Sequence, residues 1–129
     1  MKLTRLKVCQ EVDQRLSQLK GRTGLTPNLL CRIGFCLSLT DPGVPNPDTY
    51  PPDSEREINR YTLTGEWDDY FLALLKERCI YDNLGIDNQM LEDQFRAHIN
   101  RGVLMLYLRI KDLSDLNNLM HEYNTLPVE

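Results

Sequence analysis

The stretch EVDQRLSQLKGRTGLTPNLLCRIGFCLSL (residues 11–39) contains two helical patterns separated by a glycine-containing turn. In residues 11–20 the apolar side chains recur at i, i+4 and i+7, the spacing of an amphipathic helix. These side chains are Val12, Leu16 and Leu19. Gly24 follows, and glycine readily adopts the left-handed conformation in which many helices end. The pattern therefore predicts a first helix that stops at this turn.

The second helical pattern begins directly after the turn. Thr26 has the side chain of an N-cap and Pro27 stands at the first helical position, so we expect a helix over 27–39. This segment is apolar nearly all round, and only three side chains break the pattern: Asn28, Arg32 and Ser38. A helix of this kind is buried on most sides, which is typical of a subunit interface.

The segment before these helices, KLTRLKV (residues 2–8), has the alternation of a strand. Its period of two places Leu6 and Val8 on one face and Arg5 and Lys7 on the other. A lone strand leaves its backbone hydrogen bonds unsatisfied, and no second strand pattern follows nearby. The sequence therefore predicts that this strand pairs across two chains, and that the protein is an oligomer.

Residues 40–64 form a proline-rich connection that holds five of the seven prolines. Regular structure is not expected before Ser54. Ser54 and Glu57 have the spacing of a capping box, which predicts a short helix from this point. A connection of this length in a small protein is usually functional or packed on a partner.

The second half of the chain has helical periodicity. An apolar stripe predicts one helix over 67–80, and a longer stripe predicts another over 87–110 with Gly102 inside it. The run VLMLYL at 103–108 leaves a strand open as the alternative for that part. A last short helix is expected to begin with Ser114 as its cap. The predicted fold is mainly α, a single compact helical domain of 129 residues with a strand–helix–helix start.

Charge is distributed unevenly along the chain, whose formal net charge is −4. Residues 1–40 carry seven basic and two acidic side chains, a net +5, whereas residues 41–129 carry eight basic and seventeen acidic ones, a net −9. The chain thus divides into a basic strand–helix–helix unit (1–40), the proline-rich connection (41–64) and an acidic helical part (65–129). Such asymmetry indicates nucleic-acid contact on the basic side; the alternative is that these charges only solvate one face.

No apolar run is long enough to span a membrane and no export signal is recognisable, so a cytoplasmic location is expected. The four cysteines, at positions 9, 31, 36 and 79, are then reduced thiols. They form no CxxC motif, and positions 31 and 36 point to different sides of a helix, which favours buried structural thiols there. An iron–sulfur site assembled across chains from positions 9 and 79 is a weak alternative.

The sequence offers no catalytic residue, metal site or cofactor site. His98 and His121 form no metal-binding pattern, and His98 is expected to be a partly buried structural histidine. Motifs for phosphate loops, dinucleotide binding and nucleophile elbows are absent from the sequence.

The order strand, helix, tight turn, helix in residues 1–40 resembles the ribbon–helix–helix fold. In that fold two chains pair their strands into a ribbon that enters a DNA groove. Arg5 and Lys7 would lie on the outward face of the ribbon, and the Thr26 hydroxyl and Asn28 amide would meet a phosphate at the helix N-terminus. The predicted DNA-binding residues are Arg5, Lys7, Lys20, Arg22, Thr26, Asn28 and Arg32.

Three segments together resemble a more specific family: RTGLTPNLLCRI (22–33), EINRYTLTG (57–65) and FRAHINRG (95–102). They are similar to the DNA sulfur modification protein DndE family of the DNA phosphorothioation system, over roughly residues 2–110. The resemblance implies a non-catalytic, oligomeric protein, with tetramers favoured, that binds nicked duplex DNA through basic surface residues. It also implies partners: a cysteine desulfurase and other modification subunits.

Two other functions stay open at this point. The chain could be a ribbon–helix–helix transcriptional regulator that recognises an operator sequence. It could also be a structural adaptor whose acidic half binds other protein subunits. The long proline-rich segment and the acidic second half exceed what a bare regulator needs, which favours the phosphorothioation subunit.

Overall fold

The structure, a computed structural model, describes residues 1–124 and is mainly α-helical. Two short strands are present, β1 (Arg5–Lys7) and β2 (Glu57–Asn59). The helices are α1 (Gln10–Thr23), α2 (Pro27–Ser38), α3 (Arg60–Thr64), α4 (Asp68–Tyr81), α5 (Asn88–Arg109) and α6 (Leu113–Asn124). Single 3₁₀ turns occupy Pro47–Thr49 and Gly65–Trp67. The predicted mainly α, single-domain fold is confirmed.

The core is built around α5, on which α2 packs most extensively. The ring of Phe35, fully buried in α2, lies at the centre of an aromatic cluster. Its centroid is 5.5 Å from those of Phe71 and Phe95 and 6.0 Å from that of His98. Such tilted and edge-on contacts add to the stabilisation that burial itself provides. The predicted apolar character of α2 therefore serves mainly the core of its own chain.

The turn between α1 and α2 is confirmed in detail. Gly24 has φ +76°, and its N–H donates to Lys20 O at 2.8 Å. Thr26 caps α2 by accepting a hydrogen bond from the Leu29 N–H, and Pro27 is the first helical residue.

The predicted pairing of the N-terminal strand across two chains is wrong. β1 pairs antiparallel with β2 of the same chain, with Leu6 opposite Ile58, and both of these side chains are buried. The predicted faces of β1 are confirmed, since Arg5 and Lys7 are exposed. β2 contains one apolar residue, Ile58, with polar neighbours on both sides, so it lacks the repeated alternation that marks residues 2–8 as a strand.

The predicted helix from Ser54 is also wrong, because residues 57–59 are extended in β2. The helix α3 begins only at Arg60, where the Asn59 side chain accepts hydrogen bonds from the Tyr61 and Thr62 N–H groups at 2.9 and 3.0 Å. The extended backbone at Asn59 completes the ribbon and caps the helix at the same time.

The proline-rich connection has one 3₁₀ turn before Ser54 and is held down by arginines. Arg78 donates hydrogen bonds to the carbonyl oxygens of residues 39, 41 and 43, at 3.1, 2.6 and 2.8 Å. Arg101 donates to those of residues 38 and 43, at 2.8 and 2.6 Å, and Arg96 donates to Tyr50 O. The connection is therefore packed against α4 and α5.

The predicted helices of the second half are confirmed as α4 and α5. The helix α5 runs through Gly102 without a break, so the alternative strand at 103–108 is wrong. Gly102 faces Gly34 where α5 crosses α2, which explains a glycine inside a long helix. α6 begins one residue before Ser114, and Asp112 supplies the cap by accepting from the Asp115 N–H at 3.1 Å. Within residues 1–124, no helix has the length and apolarity to cross a membrane.

Candidate nucleic-acid interface

Two arginines of α1 are stacked on one tyrosine of α5. The guanidinium carbons of Arg15 and Arg22 lie 4.3 and 4.7 Å from the ring centroid of Tyr107. Both guanidinium groups also donate to the Tyr107 hydroxyl, at 3.3 and 3.4 Å. Arg15 and Arg22 are seven residues apart and therefore share one side of α1. We call these three residues the arginine–tyrosine stack.

The arginine–tyrosine stack is suited to hold an anion. Arg22 is exposed and forms no ion pair with any residue in 1–124. Arg15 forms an ion pair with Glu11 at 3.9 Å and donates to Gln18 Oε1 at 3.0 Å, so Arg22 is the less engaged of the two. The tyrosine ring restricts both guanidinium groups, so less side-chain entropy is lost when they bind a phosphate. Each guanidinium keeps donors for a bidentate contact with phosphate oxygens.

Sequence reasoning missed Arg15 and Tyr107 as candidate site residues. The signal available for Arg15 was its spacing of seven from Arg22 on a predicted helix. Tyr107 belongs to the apolar run at 103–108, and its sequence neighbours gave no hint of a contact with α1.

The seven predicted DNA-binding residues are not gathered into one patch. Lys20 is exposed, but at 100° per residue it lies about 160° round α1 from Arg22, on the opposite flank. Arg5 and Lys7 precede α1, whereas Arg22 lies near its end, about 18 Å along the helix axis from its first residue.

A carboxylate accompanies the strand cations. The Arg5 guanidinium is 3.7 Å from the Glu57 carboxylate, and Lys7 stands directly opposite Glu57 in the ribbon. The outer face of the ribbon is therefore less positive than the sequence of β1 alone predicts.

Thr26 and Asn28 are at the N-terminus of α2, as predicted. The Thr26 hydroxyl is engaged as the helix cap, accepting from the Leu29 N–H at 3.4 Å. Asn28 lies in the first turn, where backbone N–H groups have no partner within the helix. Of this pair, the Asn28 amide is the group that remains for a phosphate.

Arg32 faces α3 rather than the stack. Its guanidinium donates to the carbonyl oxygens of Leu63 and, at 3.4 Å, Thr62. These carbonyls belong to the last turn of α3, where a cation interacts favourably with the helix dipole. Arg32 thus holds α3 against α2, which the sequence did not reveal.

The two buried residues Ser38 and His98 form the clearest side-chain pair that could suggest catalysis. The Ser38 hydroxyl accepts from Arg101 Nε at 2.9 Å and shares a hydrogen bond with His98 Nδ1 at 2.8 Å. Burial, together with the positive charges of Arg101 and Arg78, lowers the pKa of His98 to about 3. Both side chains are 0% exposed, and Arg101 links the pair to the Gly43 carbonyl of the proline-rich connection at 2.6 Å.

The cysteines are free thiols, but only part of the prediction for them is confirmed. Cys31 is buried as expected, and burial raises its pKa to about 12. The prediction that Cys36 is buried is wrong, because it lies on the side of α2 that faces away from α5 and is exposed. Within residues 1–124, the cysteines, histidines and carboxylates form no group of three or more that could hold a metal.

An apolar groove runs between α2 and α6 beside Cys36. Its volume is about 450 Å³, and among residues 1–124 the only charged side chain in its lining is that of Arg32. The apolar lining residues are Ile33, Cys36, Leu37, Leu116, Leu119 and Met120. We call this surface the α2–α6 groove.

Comparison with known proteins adds to this geometry. Residues 5–113 match the family model of the DNA sulphur modification protein DndE. Among solved structures, DndE from Escherichia coli B7A, involved in DNA phosphorothioation modification, is similar over 82% of this chain and 98% of its own, with 25% identity and a TM-score of 0.68. A mutant DndE involved in DNA phosphorothioation shares the fold over 82% of this chain and 99% of its own, with 21% identity and a TM-score of 0.67. Comparison with functionally curated proteins gives no match. The family model covers most of the chain and agrees with the three segments that suggested it, so the chain belongs to the DndE family of DNA sulphur modification proteins.

Proposed function

We propose that this chain is a non-catalytic, cytoplasmic subunit of the DNA phosphorothioation machinery that binds the phosphate backbone of duplex DNA. The observation that carries the proposal is the arginine–tyrosine stack, which holds two guanidinium groups of the basic strand–helix–helix unit in place. Phosphate contacts position a protein on DNA without reading sequence, which suits a subunit that must act at many sites.

The remaining predicted residues contribute to DNA binding to different extents in this proposal. The Asn28 amide lies beside the α1–α2 turn and adds a phosphate contact there. Lys20, on the opposite flank of α1 from Arg22, supplies a separate contact. Arg5 and Lys7 form a second, weaker contact at the far end of α1, because Glu57 offsets part of their charge. Arg32 contributes to the position of α3, since its donors already meet backbone carbonyls.

The non-catalytic role is supported by the position of the Ser38–His98 pair. Its two side chains are closed off from solvent and tied to Arg101 and the proline-rich connection. Chemistry on DNA would then belong to other subunits of the machinery, and this chain would supply DNA affinity.

Self-association is the second part of the proposal. The α2–α6 groove is apolar and nearly uncharged, so two copies can pair through it without bringing like charges together. A tetramer with several stacks would multiply weak phosphate contacts by avidity, which compensates for the net charge of −4 on each chain.

The test is a titration of intact, nicked and single-stranded DNA at two salt concentrations. Three double variants lose the same formal charge: Arg15→Gln/Arg22→Gln in the stack, Arg5→Gln/Lys7→Gln in β1, and Arg109→Gln/Lys111→Gln as the control in the acidic half. We expect the stack variant to lose the most affinity and to flatten the salt dependence, by about 0.9 in log–log slope for each duplex phosphate contact removed. A single Lys20→Gln variant measures the contribution of the opposite flank.

The family resemblance leads us to expect tighter binding of nicked than of intact duplex in this titration. Equal binding of unrelated sequences supports backbone contact, whereas a specific footprint would favour a transcriptional regulator. Equal loss in the stack and control variants would overturn the assignment of the stack. Absence of binding at low salt would leave a structural adaptor as the function.

A further inference from the structure

The helix α4 has one buried apolar stripe and, next to it, one exposed apolar stripe. Phe71, Leu75 and Cys79 are buried, whereas Tyr70, Leu74 and Tyr81 have exposed fractions of 65, 45 and 73%. At 100° per residue these three exposed side chains lie within about 40° of one another, and Ile80, 59% exposed, lies about 80–120° further round the helix. Large apolar side chains grouped in this way on a surface indicate an unpartnered surface. We call it the outer α4 face.

A hollow lies next to the outer α4 face. The hollow has a volume of about 360 Å³ and lies between α4 and the end of α2. Leu39, Pro42, Leu74 and Tyr81 provide most of its apolar lining. Large side chains that fill such pockets usually dominate the binding energy of protein interfaces, and tyrosine is enriched at these positions.

The charge of the outer α4 face is negative. Asp69 and Glu77 on α4, and Glu66 in the 3₁₀ turn before it, are exposed and form no ion pair with a residue of the described part of the chain. The cations of α4 are Lys76, which is half-buried, and Arg78, which lines the hollow. Asp68 and Asp82 are different, because Arg60 and Arg78 neutralise them at 2.8 and 2.9 Å.

Glu77 is the most informative of these acids. It lines the hollow, lies amid the exposed apolar side chains, and stands near the C-terminal end of α4, where the helix dipole disfavours a negative charge. Glu77 therefore does not stabilise α4 through the helix dipole. A lysine or arginine of a bound partner could form an ion pair with the Glu77 carboxylate at the edge of the hollow.

From these observations we infer that the outer α4 face docks a protein partner that presents a large apolar side chain flanked by lysine or arginine. A second copy fits poorly, because a two-fold axis through this face would bring two copies of Glu77 together. Duplex DNA is excluded by the same negative charge. That the partner is another subunit of the phosphorothioation machinery rests on the proposed function; the apolar and acidic character of the face does not.

The experiment co-expresses the full-length tagged chain with the other subunits of the DNA sulfur modification machinery from the same source and measures their co-purification and affinity. Leu74→Ser/Tyr81→Ser removes the apolar lining, Glu77→Lys reverses the charge, and Glu55→Lys makes the same reversal on the exposed proline-rich connection. We expect the first two variants each to weaken binding of one subunit at least 10-fold, and Glu55→Lys to leave it unchanged. Circular dichroism confirms that each variant is folded.

Sedimentation and DNA titration of the same variants separate the alternatives. Unchanged oligomer size and DNA affinity in the α4 variants support the inference. Loss of self-association in them would show that a second copy occupies the face, and would overturn it. Failure of the wild-type chain to bind any subunit, or equal binding by all variants, would also overturn it. The effect of the stack variant on DNA binding tests the proposed function and leaves the inference about the outer α4 face unaffected.

Discussion

Gly34 of α2 and Gly102 of α5 meet backbone to backbone where the two helices cross. A methyl group on Gly102 would overlap the Gly34 carbonyl, and one on Gly34 would lie 2.9 Å from the Val103 nitrogen. Neither neighbour is the movable end of a side chain, so only glycine fits at both positions. This crossing sets the separation of the two helices that carry the aromatic core.

We expect Gly102→Ala to lower the free energy of unfolding by more than about 4 kcal/mol, because α2 and α5 must separate to admit the methyl group. Chemical denaturation measures the effect. The control is Gly21→Ala, within α1, where the added methyl meets nothing within 4 Å. It should stabilise the protein by about 0.5–1 kcal/mol. A mild effect of Gly102→Ala would contradict the close crossing.

A second prediction concerns His98 and the pH dependence of stability. Its pKa is about 3 in the folded protein, against an ordinary value of 6.5, so unfolding at intermediate pH takes up a proton at this site. The stability that neutral His98 provides is complete above pH 6.5 and is lost as the pH falls from 6.5 towards 3.

Denaturation of His98→Gln and wild type between pH 4 and 8 measures this effect. The difference in unfolding free energy between them should change with pH over that window. The slope should correspond to the uptake of up to one proton on unfolding. A constant difference would show that the pKa of His98 is the same in the folded and the unfolded chain, and would contradict the prediction. His121→Gln, an exposed position, serves as the control.

A third prediction isolates the role of the Tyr107 ring. Tyr107→Leu keeps both arginines but removes the surface that orders them, so we expect DNA affinity to fall by roughly 3- to 10-fold. The slope of affinity against salt should change little, because no charge is lost. The matched control is Tyr61→Leu, which removes an exposed ring that stacks on Arg60 at 4.9 Å, outside the proposed contact. Equal affinity of both variants would show that the stack needs no ring.

A fourth prediction uses the cysteines to follow self-association. A thiol reagent should label Cys36 in the dilute protein because its side chain is exposed, but slowly, since partial burial raises the pKa of its thiol. Cys31 should stay unlabelled, because it is fully buried and its pKa is about 12. If two copies meet at the α2–α6 groove, labelling of Cys36 should slow as the protein concentration rises. Cys36→Ser identifies the labelled position. Labelling that is independent of concentration, in a protein that sediments as an oligomer, would place the interface elsewhere.

Local signals in the sequence predicted most of the helices and the turn between α1 and α2. Gly24, Thr26 and Pro27 act within a few residues of themselves, so their effect is visible in the sequence. The apolar periodicity of α4 and α5 is equally local. Membership of the DndE family also came from contiguous segments.

The errors concern contacts between distant residues. β2 is three residues long and pairs with a strand about fifty residues earlier, so neither its pattern nor its partner could be recognised. Arg32 has the same charge as Arg22, yet its donors meet carbonyls of α3, some thirty residues away. The stack likewise depends on Tyr107 reaching α1, which no sequence spacing reports.

The pairing of β1 with β2 has a consequence for how the chain folds. β1 leaves the ribosome about fifty residues before its partner does, and α2 leaves before α5, on which it packs. Contacts between such distant segments form late, because the intervening loop must first close. We therefore expect the basic first forty residues to stay unfolded until α5 has been synthesised, and the isolated segment to show no cooperative unfolding. The change of charge near residue 40 would then divide two surfaces of one folding unit rather than two modules.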